Sequence, residues 1–121
     1  MEVKFNKLDM LNLFCNEPEV DEEAQTYKYK YIDNNNVIFE LLIDSYDETI
    51  YISLYRMDNT LLVRFCIMRV NMINVEEKYF ISIKNDEELI VRIYFKPQLS
   101  IDVIEALRSI ESEYFRVMWQ K

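Results

Sequence analysis

The chain has 121 residues, half of them apolar or aromatic, with 22 acidic against 14 basic side chains, a net charge of −8, and neither a glycine nor a histidine. Without glycine it lacks the loops whose backbone N–H groups close on a phosphate, and without histidine it lacks the usual acid, base and metal ligand near neutral pH, so catalysis is not expected. The acid excess repels nucleic acid and anionic membrane and favours a positively charged protein partner; the length fits a single domain, 1–121, with a core of its own.

Lys7 to Asn16 sets Leu8 and Leu11, and Met10 and Phe14, at helical spacing, which predicts a short amphipathic helix that stops before Pro18 and turns its apolar stripe to the core. Glu17-Pro-Glu-Val-Asp-Glu-Glu23 then crowds five carboxylates into seven residues, and like-charge repulsion beside Pro18 predicts an exposed loop. From Thr26 the period changes to two: Tyr27, Tyr29 and Tyr31 alternate with Lys28 and Lys30, a strand ended by Asn34-Asn35-Asn36. Strands are expected at Val37–Ile43, Ile50–Tyr55 and Leu61–Val70, the last two joined through Asp58-Asn59. Met72–Glu77 reads as a connection, followed by a hairpin of Tyr79–Lys84 and Leu89–Lys96 around Asn85-Asp86. Asn and Asp enter the left-handed region at least cost, which accounts for their use in the turns of a chain without glycine.

Beyond Pro97, Ser100 has the form of an N-cap, with Leu99 and Ile104 placed as a hydrophobic staple, and Val103, Leu107, Ile110, Tyr114 and Val117 recur on one helical side. A long C-terminal helix is expected, anchored by Trp119. The predicted fold is α+β: one antiparallel sheet of about six strands in meander order, flanked by a short N-terminal and a longer C-terminal helix.

Cys15 and Cys66 lie far apart without metal-ligand spacing and are expected as buried thiols in a reducing cytosol. Met1-Glu2-Val3-Lys4 is already charged, unlike a secretory leader, and no apolar run approaches the roughly 20 residues of a membrane span, so a cytoplasmic protein is expected. The acidic groups Asp44, Asp47, Glu48 and Asp86, Glu87, Glu88 are too short for a calcium loop and read as solvated turns. No catalytic, cofactor-binding or metal-ligating residue is assigned. The tyrosine series is the other notable feature: Tyr27, Tyr29 and Tyr31, with Tyr46, Tyr51 and Tyr55 nearby, would suit an interface as well as a half-buried sheet face. Tyr51 and Tyr55 alternate against an aliphatic face, so at least one sheet face is both aromatic and polar.

The segments Val37-Ile-Phe-Glu-Leu-Leu-Ile43, Thr49-Ile-Tyr-Ile-Ser-Leu-Tyr-Arg56 and Leu89-Ile-Val-Arg-Ile-Tyr-Phe-Lys-Pro-Gln-Leu-Ser-Ile-Asp-Val103 cover about half of the chain. In these the sequence resembles the small, acidic, single-domain immunity proteins that bacteria pair with secreted toxins of the contact-dependent and polymorphic kinds. The resemblance implies a non-catalytic protein that binds a basic toxin domain and covers its active site or substrate surface. On that reading Glu17, Glu19, Asp21, Glu22 and Glu23 are the charged rim and Tyr27, Tyr29 and Tyr31 the aromatic anchors. The alternatives are a phage-encoded inhibitor of a host defence protein that mimics the charge of nucleic acid, a small enzyme or ligand-binding domain built on carboxylates and tyrosines, and a structural subunit that dimerises through an apolar patch.

Overall fold

A computed structural model of the chain describes residues 2–86, 88–104 and, for the backbone, 115–118. The elements are β1 (Lys4–Phe5), α1 (Lys7–Phe14), β2 (Glu19–Asp21), β3 (Thr26–Ile32), β4 (Ile38–Asp44), β5 (Thr49–Tyr55), β6 (Leu61–Ile67), β7 (Met72–Glu76), β8 (Phe80–Asn85), β9 (Glu88–Tyr94), β10 (Ser100–Val103) and β11 (Phe115–Met118). They form two sheets, ordered β1-β7-β8-β9-β10 and β11-β6-β5-β4-β3-β2. Each sheet takes one strand from the opposite end of the chain, and β1 pairs with β7 in parallel.

The expected single meander is therefore replaced by two sheets. The central hairpins follow the sequence reading, but β7 occupies the segment read as a connection, and the segment read as the start of a long helix is a strand. Ser100–Val103 carries two overlapping patterns, and pairing decides between them. Ile101 and Val103 lie opposite Ile93 and Val91, which turns their side chains onto the core while Asp102 faces outward. Phe115–Met118 pairs with β6 in the other sheet. The remaining positions of the expected helix, Leu107, Ile110 and Tyr114, and the expected anchor Trp119 lie outside the described residues.

Strict alternation fills the space between the sheets. Tyr29, Leu41, Ile52 and Phe65 form one row across β3 to β6, and Tyr27, Ile43, Ile50 and Ile67 the next. The other sheet contributes Ile73, Ile83 and Val91 in one row and Val75, Ile81 and Ile93 in another. These residues belong to one continuous apolar cluster with Phe39 and Phe95. The two sheets meet where the Phe39 and Phe95 rings stand edge to face at 5.2 Å.

α1 packs against β3 of one sheet and β7 of the other. Asn6 caps it by accepting from the Asp9 N–H (3.0 Å), and Cys15 ends it in the left-handed conformation. Met10, Leu13 and Phe14 enter the core, whereas Leu8, expected on the buried stripe, is 64% exposed. Cys15 is also exposed and only Cys66 is buried, against the expectation of two buried thiols.

Among the described residues, nine have positive φ: Cys15, Gln25, Asn36, Glu48, Asn59, Arg69, Glu77, Lys78 and Asp86. Only three of these are Asn or Asp, so the turns of this chain use the left-handed region well beyond the residues that enter it cheaply.

Candidate partner-binding face

The alternation that sends Tyr29 inward sends its neighbours out. On the outer face of the six-stranded sheet, Lys28, Leu42, Tyr51 and Cys66 share one row, and Lys30, Glu40, Ser53 and Arg64 the next. Tyr55 flanks these rows beside a register shift at Leu54/Tyr55, where β6 carries an extra residue, Leu62. Lys28, Glu40, Leu42, Tyr51, Ser53, Tyr55 and Arg64 line a hollow of about 320 Å³. A second hollow of about 380 Å³ adjoins it through Lys28 and Leu42 and extends to Glu19, Val20, Asp21 and Thr26.

The polar groups are held in place. Arg64 Nε donates to Ser53 Oγ, and Arg64 Nη2 to the Tyr55 hydroxyl, both at 2.9 Å. Glu40, whose side chain is only 13% exposed, has Lys30 Nζ at 4.0 Å. The Tyr51 phenol is pushed above its ordinary pKa, first by burial and then by the Cys66 thiol and the Asp44 and Asp47 carboxylates, so it stays a neutral donor at physiological pH.

The acidic segment forms the border of this face. Glu17, Glu19, Asp21, Glu22 and Glu23 are all exposed, as expected, but Glu19–Asp21 is strand β2 at the sheet edge rather than loop. A short, charged edge strand discourages pairing with other chains. Asp21 Oδ1 accepts from the Ala24 N–H (3.1 Å) and so builds the turn into β3, while Glu19 pairs with Lys28 at 3.8 Å.

The tyrosine series lies on the opposite side of the same sheet. Tyr29 is 1% exposed. Tyr27 is half-buried, edge-on to Phe5 and beneath Lys7 Nζ. Tyr31 is half-buried against the Phe95 ring, and its hydroxyl donates to the Phe95 carbonyl (3.4 Å). The structure thus brings the five acids to an outer border but directs Tyr27, Tyr29 and Tyr31 to the core side. Tyr51 and Tyr55 lie on the outer face and line the hollow that adjoins the one at the acidic border. Arg64, Glu40 and Ser53 were missed in the sequence; the available signal was a polar residue on the outward beat of an otherwise apolar strand.

No protein-family model and no curated protein matches the sequence. Among solved structures, the chain is similar to one chain of the contact-dependent growth inhibition toxin-immunity protein complex from Klebsiella pneumoniae 342, with a TM-score of 0.65 and 13% sequence identity over 85% of this chain and 96% of that chain. At that identity the likeness is one of fold. The resemblance found in the sequence therefore has a structural counterpart. Among the described residues, no helix is long and apolar enough to cross a membrane.

Proposed function

We propose that the chain is a single-domain, non-catalytic immunity-type protein of the bacterial cytoplasm that binds and neutralises a cognate toxin domain of basic character. It docks through the outer face of the six-stranded sheet. Glu17, Glu19, Asp21, Glu22 and Glu23 supply the anionic border that steers the partner in, and Tyr51 and Tyr55 replace Tyr27, Tyr29 and Tyr31 as the contact tyrosines. The observation that carries this reading is the adjacency of the two hollows, which joins an acidic edge to an aromatic, polar sheet face. The fold shared with a chain of a toxin-immunity complex supports it.

The test is protection in cells. A toxin domain encoded beside this chain is expressed with and without it, and growth is followed. Expected is growth arrest that this chain relieves, together with a purified complex whose formation slows with added salt. Arrest that persists at equal or excess expression of the chain would overturn the reading.

A further inference from the structure

In a chain of net charge −8, the smaller of the two sheet-face hollows is lined by two cations, Lys28 and Arg64, and one carboxylate, Glu40. Glu40 already faces Lys30 at 4.0 Å, and among the described residues Lys28 has only the exposed Glu19 at 3.8 Å. Positive charge is thus gathered in a hollow that adjoins the one bordered by Glu19 and Asp21.

Arg64 is also oriented. A guanidinium carries five N–H donors in a fixed planar fork. Here Nε–H is held by Ser53 Oγ and one Nη2–H by the Tyr55 hydroxyl. Both Nη1 donors and the second Nη2 donor have no partner among the described residues. These lie on the end of the fork, where a carboxylate is received through two parallel hydrogen bonds. Ser53 and Tyr55 remove the rotamer freedom that an exposed arginine would lose on binding.

We propose that Arg64 is the seat for a carboxylate side chain of the bound partner, received end-on in this hollow, with Lys28 adding positive charge from its far wall. The inference rests on the reading of this face as the docking surface. It assigns the partner a specific pattern: an aspartate or glutamate set within a basic surround. The acidic border steers the basic surround, and Arg64 fixes the register.

The test measures binding of the same toxin domain to the intact chain and to Arg64→Lys, Arg64→Gln and Arg64→Glu, with folding checked by circular dichroism and thermal unfolding. Arg64→Gln is expected to weaken binding by about 30-fold or more, mainly through faster dissociation, as for truncation of one partner of a buried charge pair. Arg64→Lys recovers only part of the loss, because an ammonium cannot form the fork. Arg64→Glu is restored by a lysine at one acidic position of the toxin and at no other. Should the arginine variants unfold, Tyr55→Phe, which loosens the fork and keeps the charge, is expected to raise the dissociation rate severalfold by removal of one hydrogen bond to a charged group.

Wild-type affinity in the folded Arg64→Gln variant overturns the proposal. If the wild-type chain binds no toxin, the immunity reading fails separately, and the seat is tested with N-acetyl-aspartate N-methylamide as probe. A saturable shift of the Arg64 Nε–H resonance, absent with the asparagine counterpart, supports the seat; a flat titration ends it.

Discussion

Tyr29 of β3 and Phe14 of α1 lie ring against ring, 5.0 Å between centroids and 29° between planes, and this contact joins the helix to the six-stranded sheet. Phe14 also meets Phe95 edge-on at 5.3 Å, which ties the same helix to the region following β9. Truncation by Phe14→Ala opens a cavity under both sheets and is expected to cost about 3–5 kcal/mol, measured by urea unfolding. A loss below about 1 kcal/mol would mean that the helix is not part of the cooperative core.

Burial gives Tyr29 a pH signature. Its pKa is raised from 10.0 to about 12, by burial first and by Tyr27 second. Below pH 10 the phenol is protonated in both folded and unfolded chains and stability is unaffected. Between pH 10 and about 12 the unfolded chain binds fewer protons than the folded one, so stability falls with rising pH, by roughly 2–3 kcal/mol in total. Tyr29→Phe should flatten this alkaline limb in unfolding experiments while leaving the curve near neutrality close to wild type.

The β7–β8 hairpin turns at Glu77 and Lys78, with φ of 54° and 65° and the Tyr79 N–H donating to the Glu76 carbonyl (3.3 Å). Positive φ at both central positions is what a type I′ turn requires, a place ordinarily held by Asn-Gly. Lys78→Gly should relieve the side-chain clash and stabilise the fold by about 0.5–1 kcal/mol, after allowance for the greater freedom of glycine in the unfolded chain. A thermal midpoint that stays put or drops would refute this.

Border and centre of the proposed docking face should separate kinetically. Replacement of Glu22 and Glu23 by Gln is expected to slow association severalfold at low salt and to change dissociation little. Tyr51→Ala is expected to act on dissociation, by about 10-fold or more, as loss of a central aromatic contact does. Stopped-flow mixing with the toxin domain at two ionic strengths reads both; equal effects on both rates would erase the distinction.

The elements that sequence disclosed are those with local signals. Tyr27 to Tyr31 alternate with lysines, Val37 to Ile43 and Ile50 to Tyr55 are bounded by Asn, Asp and Ser, and each became a strand within a residue or two of its expected limits. β7 was hidden because its turn is Glu-Lys rather than Asn-Gly. β10 was hidden because an apolar residue at every third or fourth position also satisfied a helix, and only pairing with β9 selects the period of two. The acidic border was legible as charge. The inner placement of Tyr29 was not, since alternation defines two faces but does not say which one a helix will cover. Arg64 became visible only when β5 set Ser53 and Tyr55 beside it.

The exchange of terminal strands between the sheets governs when the molecule can be completed. β1 waits for β7, and β6 gains its outer neighbour β11 only after β7 to β10 have been made. During synthesis β1 therefore lacks a partner until β7 has emerged, and the larger sheet remains open on one side until β11 has followed β10. If the proposed function holds, protection begins with copies whose larger sheet has received β11 and not with earlier ones, so a cell needs a stock of them in place before the threat arrives.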